Sequence, residues 1–519
     1  MTKKSDEIDV LKFNHILQWP MLLGRRGKAK SDSDKFAEVI KATGWNEQYK
    51  PLNYAEFVYF HPFVRDFLFG KAKETQTIRA IKRFIREDIK TVQVQYGFSK
   101  SDNNQKTTIY EVGPEITLAV KRMEVLLIAE RVLMLVVEVS NEDLSMQRFT
   151  LKLDQVLRLQ NSLRQVFPPY FNEQGHQGDT LASLKWSSIA PSLVRFQLNK
   201  GPENFQEWVR EENEPPMFDH WQVLFGDRIR LHAARTPSEL SLEQIIDNRI
   251  PAMSFIVVED PNEISQDDLD RLPAFDPPGL DYAPQFRDRH RERFRYDRFA
   301  HLGTIYYCNG TSFAILCGES VPNYLLMHFQ CHYANFGLLA HYQHAALLHF
   351  KDELTTLSAD LNQSTTNPKW QQDARTLLID LLEFRTRSYF TEVSNQIQGR
   401  DLFALYTGHL ETAQLFAEVT NTADHIYEML EDQVGRDGTA AQTKLANAAQ
   451  LGLSITIGVG VASAILTSGQ LFPKPESATF CWEWLIFAGT LFLALLLGGL
   501  SGYIFDCWTK NKLGEQKQV

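Results

Sequence analysis

Apolar and polar positions alternate in short runs along the first third of the chain, shift to three- and four-residue spacing beyond residue 321, and merge into unbroken apolar stretches near the end. Alternation with period two marks strands facing a core on one side, and the longer spacing marks helices. On this basis strands are expected at 91–96, 107–112, 116–121 and 253–258, with a hairpin formed by apolar runs at 123–129 and 132–139. A second hairpin is expected where 304–308 and 312–317 flank Asn309-Gly310, the dipeptide best suited to a tight turn. Helical spacing is read at 34–43, at 73–90 and at 144–166, the last through Phe149, Leu153, Val156, Leu157 and Leu163. Long helices follow at 324–357, 370–393 and 401–430. Residues 261–285, rich in Pro, Asp and Gly, read as a linker or surface loop, and the mixed-charge segment 287–298 as a solvated one.

The C-terminal stretches set the class of the protein. Residues 445–473 are 29 positions without a formal charge, and 484–505 are another 22. A bilayer core about 30 Å thick needs about 20 helical residues, so each run is long enough to span it. Arg436 and Lys444 precede the first run, and Lys510, Lys512 and Lys517 follow the second, whereas the connection carries only Lys474 and Glu476. Cationic flanks stay on the cytoplasmic side, which places both termini inside a multi-pass protein of the cytoplasmic (inner) membrane. The polar start, residues 1–9, offers no apolar core for a signal peptide. The expected organisation is a cytoplasmic α/β domain at 1–320 and helical stalk elements at 321–448. Transmembrane helices follow at 449–471 and 482–505, joined by an external loop at 472–481, with a tail at 506–519.

Composition adds limits. With 54 basic against 64 acidic residues the net charge is −10, and mean hydropathy is −0.28 despite the apolar end. An acidic balance without a basic aromatic patch argues against a nucleic-acid partner. Five scattered cysteines in no CxxC pair form neither a disulfide framework nor a zinc knuckle. The chain has no GxGxxG, Walker, GxSxG or HExxH pattern, and Gly24 to Lys28 reads as a basic turn, so no enzyme and no cofactor is expected.

Two constellations carry chemistry. His328, Cys331, His332, His341, His344 and His349 cluster in one helical stretch, and the pairs 328/332 and 341/344 have metal-ligand spacing. Their apolar and aromatic surroundings, with no acidic residue near to orient the rings, favour hydrogen-bonded core histidines over a metal site. In the first span, Thr456, Gly460, Ser463, Thr467 and Gln470 recur at four, three, four and three residues and form one polar or small stripe. Several copies around an axis would line an uncharged hydroxyl and amide path, with Leu453 below it as a gate. The same spacing also serves a packing face, since Ser and Thr hydrogen-bond within their own helix. Gly498 and Gly502 give the second span a small-xxx-small pair suited to close helix packing.

Two terminal spans after a long helix, joined by a short external loop, resemble the CorA family of divalent-cation transporters. So do Arg295-Tyr296-Asp297-Arg298-Phe299 with Gly303-Thr304, His332-Tyr333, and Leu338-Leu339-Ala340-His341-Tyr342. Glu392-Val393-Ser394-Asn395-Gln396, Arg400-Asp401-Leu402-Phe403 and the hairpin at 123–139 extend the likeness to a divergent bacterial branch over roughly residues 115–505. The resemblance implies an α/β cytoplasmic domain, a stalk helix entering the first span, and a homopentamer with the first spans at its centre. It also implies a divalent cation as transported ion or regulator. The family's Gly-Met-Asn signature is reduced here to Ser468-Gly469-Gln470-Leu471, while Pro475 and Glu476 match the Pro-Glu of the family's external loop. Gly435 and Gly438 interrupt the stalk, each costing about 1 kcal/mol relative to Ala inside a helix. The expected function is an oligomeric cation channel or transporter. The rival is a membrane-anchored sensor or defence effector whose cytoplasmic domain takes a small ligand.

Overall fold

A computed structural model describes residues 3–24, 29–70, 80–102, 107–143, 145–167, 180–189, 218–231, 240–245, 248–279, 282–359 and 367–434. The two uncharged runs, the pore stripe with Leu453, the loop with Pro475 and Glu476, and the Gly435–Gly438 interruption lie outside these residues. Among the described residues no helix is long and apolar enough to cross a membrane.

The sheet begins with β1 (Asp9–Leu23), in which every residue from Phe13 to Leu23 is buried. β7 (Val132–Ser140) pairs with it antiparallel, in register from Asn14↔Ser140 to Leu22↔Val132. On the other edge β12 (Ala252–Val258) pairs as far as Leu17, and β11 (Leu240–Gln244) takes over from Met21. Pro20 falls in the gap between these partners, so its missing N–H leaves no ladder bond unmade. β6 (Ile116–Ile128) pairs with β7, with β3 (Ile81–Ile85) along its later half and with β4 (Thr91–Asp102) along its start. β5 (Thr107–Val112) and β9 (Thr180–Trp186) flank β4. Beyond β12 lie β15 (Ser312–Gly318), parallel to it, then β14 (Thr304–Cys308) and β13 (Arg295–Tyr296). The short strands β2 (Asn46–Glu47), β8 (Leu151–Lys152) and β10 (Ile229–Leu231) complete a sheet of 15 strands among the described residues.

Helices cover both faces. α1 (Ala29–Lys41) and α4 (Leu153–Leu163) close one side, where Phe13, Leu17, Trp19, Val156, Leu157 and Trp221 share one core. α2 (Tyr54–Tyr59), α3 (Pro62–Phe69), α8 (Asn323–His328), α9 (Ala334–Ala359) and α11 (Ile397–His409) belong to the other side. The small helices α5 (Asp219–Gln222) and α6 (Gln266–Arg271), and α7 (Pro284–Phe294), sit in the connections. α10 (Pro368–Arg387) belongs, up to Thr386, to a second compact unit that also takes in the described residues 425–434. α10 buries Trp370, Ala374, Leu377, Leu381 and Phe384 at alternating four- and three-residue steps. α12 (Thr412–Val434) begins in the first unit and ends in the second.

Both expected hairpins form. Asn309 and Gly310 turn β14 into β15: Asn309 Oδ1 accepts from the Thr311 and Ser312 amides at 3.0 and 2.8 Å, and Gly310 has φ +95°. The β6–β7 turn instead places Ala129 and Glu130 at φ 48° and 61°. Four helical readings change: the expected 401–430 helix is two, α11 and α12, broken where Glu411 takes φ 52°, and the expected 370–393 helix ends at Arg387. Ile81–Ile85 of the expected 73–90 helix is a strand, because β6 offers it a full ladder of partners. The 144–166 helix starts only at Leu153, because Asp143 Oδ1 accepts from the Ser145 and Gln147 amides at 2.9 and 2.8 Å and holds a turn there. The charge-dense segment 287–298 is mostly helix, α7, with no residue fully buried.

Gly337 sets how closely α9 approaches the sheet: a Cβ there would lie 2.4 Å from Gln18 Oε1 and 3.3 Å from Met253 Sδ. Gln18 Nε2 donates to the Ala334 carbonyl at 2.6 Å just before it, pinning the helix to β1. Gly337→Ala is expected to cost roughly 1–3 kcal/mol through overpacking. Gly408→Ala, with open space around it, should be neutral or stabilising by up to about 1 kcal/mol. Thermal midpoints of the two purified variants check the pair; equal midpoints would mean that α9 shifts to make room.

Candidate functional site

Between α8 and α9 the helix widens into a π turn, Phe329–Tyr333, which holds Gln330, Cys331 and His332. Such one-turn bulges re-aim side chains within a continuous helix and recur at functional positions. Here the turn lies against a layer of charge built from alternate positions of the sheet. Arg122 and Glu124 on β6, Glu138 on β7 and Arg83 on β3 point to this face, as the register of the strands requires. Arg83 pairs with Glu124, and Arg122 Nε lies 3.5 Å from Glu138 Oε2. Lys50 reaches Glu56, which is fully buried at the start of α2, at 2.9 Å.

Glu138 is the junction of this layer. Its Oε1 accepts from Asn14 Nδ2 of β1 at 3.4 Å and from Gln330 Nε2 of the π turn. One carboxylate therefore ties the central strand to the base of the long helix. Three carboxylates face three cations, so the layer is balanced within itself. Removing one member of a buried pair typically costs about 3–5 kcal/mol, because the partner is left charged without water. Arg122 Nε and Nη2 and Glu56 Oε2 have no hydrogen-bond partner among the described residues.

The six residues of the histidine cluster separate into different environments. The His332 ring stacks on Tyr59 at 4.0 Å and 10°, with Phe60 edge-on and the His328 ring 4.9 Å away. Burial, followed by the His328 ring, pulls the His332 imidazole down to about 4. His341, one face further along α9, meets Tyr406 edge-on at 5.9 Å, and burial holds it at about 3. Burial also lowers His328 and His344, the latter bonded to the backbone at Leu410. His349 accepts from Arg131 Nε at 3.2 Å. Cys331, half-buried, has its thiol pushed up by burial and stays protonated at neutral pH. Among the described residues no group of three His, Cys, Asp or Glu side chains is placed to hold a metal ion. The His332 and His341 rings, kept neutral by burial, pack against Tyr59 and Tyr406.

The sequence pattern points to the histidines but not to the charge layer, since Glu124 and Glu138 sit inside otherwise apolar runs. Their signal was a carboxylate interrupting a β-branched strand, which calls for a partner cation on the neighbouring strand. Comparison of the chain with protein-family models, with curated proteins and with solved structures finds no match.

The neutral histidines fix a pH response. Their folded pKa values lie below the unfolded value of 6.5, so between those limits the unfolded chain binds the extra protons. Stability is thus full above about pH 6.5 and falls as pH drops towards 4, by about 1.4 kcal/mol per pH unit for each such proton. His332→Phe keeps the stack on Tyr59 and removes one titrating ring. Its thermal midpoint should fall less steeply over this range than that of the wild type. Superimposable profiles would show that His332 already carries its proton in the fold.

Proposed function

We propose that the protein is a homo-oligomeric membrane channel or transporter for cations, similar in plan to the CorA family, with its path lined by the first span. The observation that carries this reading is the stripe Thr456, Gly460, Ser463, Thr467 and Gln470 within a 29-residue uncharged run. A helix that long and that apolar belongs in a bilayer, and hydroxyls and an amide along its whole length need polar neighbours there. Copies of the same stripe around an axis supply them, and leave a neutral path where dipoles replace part of a cation's hydration shell. Gln470 at the outer end provides a ring of amides, and Glu476 in the external loop a ring of carboxylates that concentrates cations at the mouth. Leu453, below the stripe, closes the path as an apolar ring. The large N-terminal part is then the cytoplasmic body of the oligomer, and the charge layer at Glu138 holds its sheet and helices together as one mechanical piece.

Ser463→Phe should stop cation flux in proteoliposomes while size-exclusion and mass measurements still report the wild-type oligomer. Val459→Phe and Ile465→Phe, on other faces of the helix, should be milder, and Gln470→Ala should change which ion passes more than how much. Normal flux through Ser463→Phe, or no flux of any mono- or divalent cation through the wild type, would reduce the stripe to a packing face.

A further inference from the structure

Away from the charge layer, α6, the turn after it, α7, Arg295 of β13 and Tyr307 of β14 line a small, partly open cleft of about 100 Å³. Its character comes from α7. Phe286, His290 and Phe294 recur at four-residue steps and form a ladder of rings, Phe286 on His290 at 3.8 Å and His290 on Phe294 at 4.8 Å. Tyr282 continues the ladder 5.4 Å from Phe286. Helices normally bury such a row, yet no residue of α7 is fully buried and Phe286 is 40% exposed.

A second row, Arg287, Arg291 and Arg295, follows the same spacing one position on and lines the same cleft. Two of these cations are engaged: Arg287 with Asp267 and the Tyr282 carbonyl, and Arg291 with both oxygens of Asp270 at 3.3 and 3.1 Å. Asp276, the other acid of the lining, accepts from the Tyr282 hydroxyl and lies 3.4 Å from Arg249. Arg295 differs. Its Nε is shielded from solvent and has no hydrogen-bond partner among the described residues, and the same is true of His290 Nδ1. A buried guanidinium N–H left unpaired is costly, and the acceptor that relieves it best is an anion.

We propose that this cleft binds a planar aromatic anion, its ring against Phe286 and His290 and its carboxylate or phosphate on Arg295. The part of Phe286 left in water supplies an apolar aromatic contact, and the unpaired donor supplies the preference for charge. Asp270 is paired with Arg291 and Asp276 with Arg249, so neither presents an uncompensated charge to the ligand. The inference is independent of the pore: it assigns a ligand site to the soluble part whether or not the spans conduct.

Calorimetry on the full-length protein in detergent tests it with four kinds of probe: benzoate and indole-3-acetate, adenosine and uridine monophosphates, benzamide, and inorganic phosphate. At least one aromatic anion should bind saturably and at least tenfold more tightly than both benzamide and inorganic phosphate. Tighter binding by the carboxylates or by the monophosphates identifies which anion the cleft takes. Arg295→Gln should bring that ligand down to the affinity of the uncharged ring, and Phe286→Ala should weaken it about tenfold. Arg289→Gln, at an exposed position of the same helix outside the lining, should leave affinity unchanged. Circular dichroism confirms that each variant is folded. No saturable binding by any aromatic anion, or binding untouched by both Arg295→Gln and Phe286→Ala, would overturn the assignment.

Discussion

A strand buried along both faces cannot send any of its polar groups to water, and β1 is such a strand for eleven consecutive residues. Its backbone must be paired on both edges, which it achieves with one long partner and two short ones. Its polar side chains must be paired inside the protein. His15 meets Ser254 at 2.7 Å on the α4 side, while Asn14 and Gln18 turn to Glu138 and to the start of α9 on the other. The position of α9, the presence of Glu138 within an apolar strand and the lack of a side chain at Gly337 all answer demands set by β1. The core on the α4 face, with Trp19 against Trp221, is the apolar half of the same arrangement.

This constraint also governs how much of the fold can be read directly from residue order. Strands exposed on one side alternate and are legible, as the first part of β4 and the start of β6 are. The 309/310 turn is legible because asparagine and glycine have few other uses in that spacing. β1 is hidden for the opposite reason: a strand covered on both sides loses its period, and Pro20 inside it speaks against any strand. Only the break between β12 and β11 makes that proline harmless, and no local pattern reveals a break between distant partners. Spacing likewise grouped the six residues from His328 to His349, but a helix carries them past several different neighbours.

The sheet and the terminal uncharged runs pose different physical problems. In the α/β unit, charge is tolerated in the interior because each carboxylate has a cation on an adjacent strand or helix. The uncharged runs remove charge altogether and keep only hydroxyls, an amide and small residues. The cleft on α7 follows neither rule, with rings left partly in water and a guanidinium N–H left without an acceptor. Surfaces of that kind are commonly completed by another molecule.

The π turn at Phe329–Tyr333 has a consequence for how this protein can vary among its descendants. A π bulge is one residue more than an α-helix needs, and each residue of an α-helix turns the chain by about 100°. The bulge absorbs that extra residue, so losing one here would restore regular helix with α8 and α9 still in phase, and would re-aim the side chains of the turn itself. Gln330 would leave Glu138 and His332 would leave Tyr59 in a single event. Lineages carrying this fold should therefore tolerate substitution within the turn more readily than any change in its length.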